Sequence, residues 1–303
     1  MSASFGSALQ TAREAAAHQH YPQGALYVVA TPIGNLADIT LRALHVLALV
    51  DAVACEDTRH TQHLLRACGI ERAGAQLLAV HQHNEAEAAA AVIDHLRHGL
   101  RIAYVSDAGT PAVSDPGARL VAAVRAAGLP VVPLPGASSV TTLLSAAGMA
   151  QDGGFVFAGF LPTKAAERER AVAQLAADAR AVVLLEAPHR IEALAAALAV
   201  LGDRPVTFGR ELTKQFEEIA TVPARDGPAW LAADAHRTRG EFVLVVHGAP
   251  VAADAGNDER VLRLLLAELP LKTAVKLAAD ITGRPKNSLY DAALALRKAD
   301  GDD

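Results

Sequence analysis

Short apolar runs alternate with longer amphipathic stretches along the first half of the chain. The apolar runs predict five β-strands, namely Ala25 to Ala30, Ala52 to Cys55, Leu77 to His81, Arg101 to Ser106 and Val131 to Pro135. The stretches after them have helical periodicity, and two of these, Asn84 to His98 and Ala118 to Ala127, are followed by a glycine suited to a helix C-cap. This alternation predicts a largely parallel sheet wrapped by helices.

A second region of strands begins after the polar, glycine-containing segment 151–154, where we place a domain boundary. Its predicted strands are Phe155 to Phe160, Val182 to Glu186, Val206 to Glu211, Glu218 to Val222 and Phe242 to His247. No long helix separates the third of these strands from the fourth, so the last three can pair antiparallel. We therefore expect a second, mixed sheet.

The two ends of the chain differ from the middle. Residues 1–24 form a disordered or helical lead, and residues 250–258, rich in Ala, Gly, Asp and Asn, are typical of a linker. Residues 259–303 have a purely helical pattern, with breaks at Pro270 and at Gly283 to Pro285. The predicted organisation is a lead, an α/β domain over 25–150, a mixed-sheet α/β domain over 151–249, a linker and a helical extension.

Charge limits the kind of nucleic-acid contact that this protein can make. The 303 residues carry a formal net charge of −5, which argues against a protein that coats nucleic acid through a broad positive field. Between Asp258 and Lys298, however, eight Lys or Arg outnumber five Asp or Glu. Any RNA contact is therefore expected to be local, with the basic tail as a candidate.

Cysteine content and hydropathy indicate the cellular compartment in which the protein is found. The chain has two cysteines, Cys55 and Cys68, and they form no CxxC pair, so neither a disulfide framework nor a zinc knuckle is indicated. No apolar run approaches the roughly 18 residues that span a bilayer, and the first residues lack the pattern of a signal peptide. We expect a cytoplasmic protein without a membrane contact.

The loops after the first five strands are the candidate ligand site, because ligands of open α/β sheets bind beyond the carboxyl ends of the strands. Small, polar or charged residues fill these loops, which are 31–35, 56–59, 81–85, 106–111 and 135–139. A turn with capping residues explains any single loop, but five in succession favour a ligand site. The GxGxxG, GxxxxGK[ST] and GxSxG motifs are absent, so a dinucleotide, a triphosphate and a serine hydrolase are not indicated.

Seven motifs follow one another along the chain: ATPIGNLADITLRAL, ACEDTR, HQHNE, SDAGTPAVSDPG, LPGASS, EAPHR and GRELTKQFEE. In this order and spacing, from about Leu26 to Val246, they resemble the ribosomal RNA cytidine 2′-O-methyltransferase branch of the tetrapyrrole methylase family. The basic helical tail resembles the C-terminal extension of that branch. The first loop reads Thr-Pro-Ile-Gly-Asn instead of the wider family's Gly-Pro-Gly-Asp-Pro, which favours RNA over a tetrapyrrole as the substrate.

The resemblance implies a homodimer of the α/β class. Each subunit would have two tetrapyrrole methylase-like α/β domains with an S-adenosylmethionine cleft between them, plus the small C-terminal helical extension. It would methylate a cytidine ribose 2′-oxygen in 16S ribosomal RNA of the small ribosomal subunit. The implied cofactor-binding residues are Pro32, Asp107, Ala108, Gly109, Thr110, Pro111, Ser138, Ala187 and Leu212.

Several of these residues also have a plain structural explanation. Asp107 can contact the cofactor or cap the next turn, and the Thr110 and Ser138 hydroxyls can donate to a ligand or cap a helix. Gly109 and Gly136 can allow close backbone approach or simply provide a turn with positive φ.

The implied catalytic and substrate-binding residues likewise have both a functional and a structural explanation. Glu211 and Lys214 can orient the nucleophile, or they belong to a surface ion-pair cluster. His189 and Arg190 can face the RNA, or they form a solvated helix start. The further substrate-binding candidates are Asn35 and Arg59 in the first domain and, as phosphate contacts or as part of a structural helical cap, Lys272, Lys276, Arg284 and Lys286 in the tail.

No metal is expected, because the histidines at 60, 63, 81 and 83 form no HExxH or comparable frame. The expected reaction is in-line attack of the ribose oxygen on the sulfonium methyl group, with most of the acceleration from alignment and with a base that the sequence does not identify. Two alternatives remain at this point: methylation of a tetrapyrrole or other small molecule on the same fold, and a non-enzymatic RNA-binding assembly factor.

Overall fold

The structure is a computed structural model of the 303-residue chain. It describes residues 6–81, 85–114, 116–149, 154–249 and 255–299. The chain divides into two compact units, Met1–Gly248 and Ala249–Asp303. No helix within the described ranges is both long enough and apolar enough to span a membrane.

The first sheet of the first unit is entirely parallel. Its strands are β1 (Leu26–Val29), β2 (Ala52–Cys55), β3 (Leu77–Ala79), β4 (Ile102–Val105) and β5 (Val131–Leu134). They lie in the order β3-β2-β4-β1-β5, and each neighbouring pair is parallel. The predicted parallel sheet is therefore confirmed.

Helices cover both faces of this sheet. They are α1 (Gly6–Ala16), α2 (Leu41–Leu49), α3 (Thr58–Ala67), α4 (Glu85–Arg97), α5 (Ala118–Ala126) and α6 (Ser139–Ala146). The central strands are buried on both faces, as apolar strands between two helical layers must be. Helix α1 lies in the lead segment, and Ala12 on it belongs to the hydrophobic core.

The second sheet is mixed. Its strands are β6 (Phe155–Phe160), β7 (Ala181–Glu186), β8 (Pro205–Arg210), β9 (Glu218–Pro223) and β10 (Phe242–Val246), and its helices are α7 (Ala165–Leu175), α8 (Ile191–Leu198) and α9 (Gly227–Ala232). The order is β6-β7-β10-β8-β9. Only β6 and β7 pair in parallel, whereas β8 pairs antiparallel with both β9 and β10. The antiparallel pairing expected for the last three strands is confirmed.

Helix α6 packs against one face of the second sheet. Val140 and Leu143 of α6 share a hydrophobic cluster with Val183 of β7 and with Val243 and Val245 of β10. The contact is close, since a Cβ atom at position 209 of β8 would lie 2.6 Å from Leu143 Cδ1. Residue 209 is glycine, which lets α6 approach the backbone of the second sheet.

The second unit is a three-helix cluster, which confirms the predicted helical extension. Its helices are α10 (Ala255–Glu268), α11 (Leu271–Thr282) and α12 (Lys286–Ala299). Leu262, Val275 and Leu289, one from each helix, are buried in its small core. The break between α11 and α12 lies at Gly283, whose φ of +72° is the left-handed conformation that a helix C-cap requires.

Candidate active site

A pocket of about 430 Å³ opens within the first unit, at the carboxyl ends of β1 and β4. From the first half of the chain it is lined by Ile33, Ala108, Gly109, Thr110, Val113, Ser114, Ser138, Ser139 and Val140. From the second half it is lined by Phe157, Phe160, Leu185, Glu186, Ala187, Pro188, Leu212, Glu241, Phe242 and Val243. The volume lies within the range of about 300–1,000 Å³ that is usual for small-molecule sites.

Gly109 lines this pocket, and its backbone groups join two of the loops around it. Its N–H donates to the Thr31 carbonyl at 3.1 Å, and its carbonyl accepts from the Thr31 N–H at 2.9 Å, so the loops after β1 and β4 are joined. Its φ is +79°, and an added Cβ atom would lie 3.3 Å from Ile33 Cγ2. Both explanations for a glycine at this position, the left-handed turn and the close approach, therefore apply.

The hydroxyl groups of Thr110 and Ser138 have different roles. Thr110 donates to the Ala137 carbonyl at 3.1 Å and thereby ties the loop after β4 to the loop after β5. Ser138 precedes α6 in an extended conformation, but its hydroxyl makes no capping hydrogen bond. Because Ser138 lines the pocket, that hydroxyl can serve a ligand instead.

Asp107 binds the neighbouring loop and is not among the residues that line the pocket. Its Oδ1 accepts from the Asp57 backbone N–H at 3.3 Å, which fixes the loop after β2. Asp57 in turn caps α3 by accepting from the N–H groups of Arg59 and His60. Asp107 therefore holds the loop after β2 rather than capping the turn that follows it, and Pro32 and Pro111 likewise lie outside the described pocket wall.

The far end of the loop after β4 is held by Glu85, a residue whose role the sequence did not indicate. Its buried carboxylate accepts from the N–H groups of Gly117 at 3.0 Å, Arg119 at 3.1 Å and Leu120 at 3.4 Å. Gly117 is the N-cap of α5 and has no side chain with which to cap it. Glu85, 32 residues earlier, therefore supplies the missing cap and the favourable negative charge at the helix N-terminus.

Glu186 and Arg190 form an ion pair at the end of β7, beside the pocket. Glu186 Oε1 lies 3.0 Å from Arg190 Nε and accepts from the Ala187 N–H at 2.9 Å, with no exposure of the Glu186 side chain. Arg190 also donates to the Leu161 carbonyl at 2.5 Å and to Thr163 Oγ1 at 3.2 Å. The predicted substrate residue Arg190 is thus bound within the fold, while His189 beside it is exposed.

The second carboxylate oxygen of Glu186 is buried and has no hydrogen-bond partner among the described residues. Buried polar atoms without partners are rare in folded proteins, and each needs an explanation. One weak signal for this residue is present in the sequence, since Glu186 ends the otherwise apolar strand β7. Because the Glu186 side chain has no exposed surface, this oxygen does not face the open pocket.

Lys214 lies between two carboxylates beside the pocket. Its Nζ donates to Glu211 Oε1 at 2.8 Å and to Glu241 Oε2 at 3.1 Å. Burial alone would lower the pKa of Lys214, but these hydrogen bonds hold it above its ordinary value. Burial alone would raise the pKa of Glu211, but the hydrogen bonds from Lys214 and from the Glu241 backbone hold it below its ordinary value.

The loop that carries Lys214 has an unusual backbone. Glu211 and Thr213 adopt left-handed φ values of +50° and +67°, which cost free energy for residues other than glycine. The buried Arg210 guanidinium donates to the Phe216 carbonyl at 2.8 Å and to the His236 and Arg239 carbonyls at 3.0 Å each. It therefore joins this loop to the segment at 236–239. Leu212 of this loop lines the pocket, whereas Glu211 and Lys214 do not.

The other predicted substrate residues are dispersed. Asn35 caps the short helix at 36–38 by accepting from the Ala37 N–H at 3.1 Å. Arg59 pairs with Asp57, and its side chain is 91% exposed. In the second unit Lys272, Lys276 and Lys286 are exposed, which leaves them free for phosphate contact.

Arg284 is used inside the second unit. Its guanidinium lies 3.6 Å from Asp258 Oδ2 and donates to Ser288 Oγ at 2.7 Å, so it connects α10 to the start of α12.

Within the described ranges of the chain, no group of three or more His, Cys, Asp or Glu side chains has an arrangement that could hold a metal ion.

Two family patterns match this chain. The family described as Tetrapyrrole (Corrin/Porphyrin) Methylases matches residues 25–227. The family described as RsmI C-terminal HTH domain matches residues 252–297. The first match covers the residues of both sheets up to α9, and the second covers nearly all of the three-helix unit.

Curated relatives are similar to the chain along most of its length. A protein of Vibrio cholerae named Ribosomal RNA small subunit methyltransferase I is 49% identical, over 89% of this chain and 94% of its own. A protein of the same name from Escherichia coli O157:H7 is 49% identical, over 90% of this chain and 95% of its own.

Solved structures share the fold at lower identity. A uroporphyrin-III-C-methyltransferase from Thermus thermophilus is 24% identical with a TM-score of 0.53, over 74% of this chain and 94% of its own. The methyltransferase CobJ is 20% identical with a TM-score of 0.56, over 75% of this chain and 95% of its own. The family expected from the seven motifs is confirmed, and the chain belongs to the tetrapyrrole methylase family.

Proposed function

We propose that this protein is an S-adenosylmethionine-dependent methyltransferase of small-subunit ribosomal RNA, and that its methyl acceptor is the ribose 2′-oxygen of a cytidine. The observation that carries the proposal is the pocket at the strand ends of a tetrapyrrole methylase fold, in a chain 49% identical to ribosomal RNA methyltransferases over nine-tenths of its length. The exposed lysines of the three-helix unit support RNA rather than a small molecule as the acceptor.

The residues of the pocket fit S-adenosylmethionine. Six of the nine residues predicted to bind the cofactor line the pocket: Ala108, Gly109, Thr110, Ser138, Ala187 and Leu212. Five of these residues have small side chains, which leave room for a ligand against the strand ends. The Phe157 and Phe160 rings add apolar and aromatic surface suited to a purine.

When bound, S-adenosylmethionine supplies an electrophilic methyl group on a sulfonium. The protein's own contribution is to hold the acceptor in line and to exclude water, since alignment can supply much of the acceleration. Val113 and Phe160, both more than half exposed at the pocket, are placed to cover an incoming nucleotide. They would act as apolar walls rather than as proton carriers.

Lys214 would act as a hydrogen-bond donor and not as the base. Its raised pKa keeps it an ammonium near neutral pH, where it cannot accept a proton. An ammonium beside the pocket can orient a ribose hydroxyl or a phosphate of the substrate, with Glu211 and Glu241 holding it in place until RNA arrives. The homodimer implied by the motifs, and the cytoplasmic location expected from cysteine content and hydropathy, complete the proposal.

The test is transfer of a radiolabelled methyl group from S-adenosylmethionine. Small ribosomal subunits lacking this modification, their purified RNA, and uroporphyrinogen III are offered as acceptors in parallel. The proposal predicts label in the ribosomal RNA of at least one of the first two samples and none in the tetrapyrrole. Label in the tetrapyrrole alone supports the small-molecule alternative, and binding without any transfer supports an assembly factor.

A further inference from the structure

We propose that the α3 face, which is formed by the exposed side chains of Arg59, His60, His63 and Arg66, binds phosphates of the RNA strand whose nucleotide enters the pocket. This inference rests on the proposed function, because it takes RNA as the substrate. It deepens that function by assigning an RNA contact surface to the same unit as the pocket. Of the four residues, only Arg59 was expected to bind the substrate.

The ionisable side chains of α3 are all bases. From Thr58 to Ala67 the helix contains two arginines and two histidines, all four exposed, and no Asp or Glu. The whole chain, by contrast, has 33 Asp or Glu against 28 Lys or Arg. Arginine and histidine side chains donate hydrogen bonds to phosphate oxygens. In an acidic protein, α3 is therefore a local surface that suits the RNA backbone.

Three of these residues project from one side of the helix. Positions 59, 63 and 66 are spaced by four and three residues, so they are neighbours on the helix surface. Thr61 and Leu65, on the opposite side, are buried. From position 59 to position 66 the helix rises about 10 Å at 1.5 Å per residue. A nucleic-acid strand with a rise of about 3.4 Å per nucleotide passes several phosphates over this length.

The α3 face is largely free of partners inside the protein. Among the residues that the structure describes, the side chains of His60, His63 and Arg66 form no ion pair or hydrogen bond. Arg59 lies 3.1 Å from Asp57 Oδ2, but 91% of its side chain is exposed, so this pair contributes little to stability. Arg66 in the last turn favours the helix dipole, whereas Arg59 in the first turn opposes it. Helix stability therefore does not account for the whole face.

The α3 face begins next to a loop that lines the pocket. Asp57, the N-cap of α3, donates its backbone N–H to Asp107 Oδ1 at 3.3 Å, and the residue after Asp107, Ala108, lines the pocket. Strands β2 and β3, which α3 connects, are parallel, so the helix runs back from the carboxyl edge of the sheet. An RNA strand with one nucleotide in the pocket can thus continue along this helix.

The experiment measures association of the full-length protein with 16S ribosomal RNA over a range of salt concentrations. The variants are Arg66→Gln alone and Arg66→Gln combined with His63→Gln. The matched controls are Arg97→Gln alone and Arg97→Gln combined with His98→Gln, at the end of α4. Arg97 and His98 are also exposed, and Arg97 is also in a last helical turn, but acidic residues accompany them, with Asp94 3.6 Å from the His98 imidazole.

The proposal predicts that Arg66→Gln lowers the slope of log affinity against log salt by about 0.7 to 0.9, the value for one phosphate contact. The double variant should bind RNA at least about tenfold more weakly. It should raise KM for small ribosomal subunits by a similar factor and leave kcat and S-adenosylmethionine affinity unchanged, because the lost contacts lie outside the pocket. Both controls should behave as the parent protein, and thermal unfolding should show that all four variants are folded.

Two results would overturn the α3 face while the parent protein methylates RNA normally. One is an unchanged salt slope in both α3 variants, and the other is an equal loss of affinity in the controls. Altered sedimentation of the α3 variants without RNA, together with an unchanged slope, would assign the face to contact between subunits instead. Failure of the parent protein to methylate RNA would overturn the proposed function and this inference with it, so the two failures are distinguishable.

Discussion

Gly34 and Lys214 are in contact although 180 residues separate them in the sequence. A Cβ atom on Gly34 would lie 2.5 Å from Lys214 Cγ and 2.8 Å from Lys214 Cε. The loop after β1 can lie against the Lys214 side chain only because residue 34 is glycine. This contact connects the loops of the first sheet to the ammonium group that we assign to substrate orientation.

Gly34→Ala should therefore displace Lys214 and slow methyl transfer to RNA by about tenfold or more, since small misplacements of orienting groups are costly. Affinity for S-adenosylmethionine should change little, because Gly34 does not line the pocket. The matched control is Gly74→Ala, where an added Cβ meets no atom within 4 Å. Transfer kinetics and calorimetry of both variants check the prediction, and an unchanged rate in Gly34→Ala contradicts it.

Glu85→Ala should destabilise the protein by about 2 kcal/mol, because it removes the carboxylate that caps α5 and leaves three N–H groups without their acceptor. The loop after β4 would lose its anchor at Gly117, so cofactor affinity should fall as well. Glu87→Ala, an exposed acid on the same helix, is the control. Denaturant unfolding measures the difference, and equal stability of the two variants would rule out the capping role.

Gly109→Val should weaken binding of S-adenosylmethionine at least about tenfold, or some 1.4 kcal/mol. The φ of +79° strains any β-branched residue, and the new side chain would crowd Ile33, which also lines the pocket. Circular dichroism and thermal unfolding establish that the variant is folded before calorimetry is interpreted. Wild-type affinity in a folded variant would remove this loop from the cofactor site.

The ion pair of Glu211 with Lys214 predicts a pH dependence of stability. The pKa of Glu211 is lowered in the folded state from 4.5, so its contribution is fully present above that value and is lost as the pH falls through the folded-state pKa. The difference in unfolding free energy between the parent protein and Glu211→Gln should thus be constant near neutrality and shrink in acid. A difference that stays the same from neutral pH to strong acid, in a protein that still unfolds cooperatively, would contradict the assignment.

The fold was largely predictable because it depends on local patterns. Buried parallel strands must be continuous apolar runs, which is why β2 extends over the predicted Ala52–Cys55. Six of the nine predicted cofactor residues line the pocket, because strand ends in such a sheet converge at one edge. Asp107 shows the limit of this reasoning: a polar strand end can serve the neighbouring loop just as well.

The remaining features depend on contacts between distant residues that no local pattern encodes. The Glu85 cap, the Gly34 contact with Lys214 and the Glu241 carboxylate each join segments far apart in sequence. In α11 of the tail, small residues such as Ala274 and Ala278 are buried, whereas the larger Leu277 and Ile281 are exposed. Side-chain hydrophobicity alone therefore does not identify the buried face of this helix.

The exposed lysines of the second unit should contribute to RNA association. Replacing Lys272, Lys276 and Lys286 together with Gln should lower the dependence of log affinity on log salt by roughly 2, if each makes one phosphate contact. Cofactor binding should be unchanged. The control is Lys164→Gln, an exposed lysine of the first unit beside α7. A salt slope equal to that of the parent protein would make the three-helix unit a structural cap only.

Nucleoside analysis of 16S ribosomal RNA tests the central claim most directly. Small subunits from cells that lack the gene are incubated with the protein and S-adenosylmethionine, and the RNA is digested and analysed by mass spectrometry. The account predicts that 2′-O-methylcytidine appears with the parent protein and is reduced with Gly109→Val. A methyl group found on a base, or no new methylated nucleoside with an active cofactor-binding protein, would contradict it.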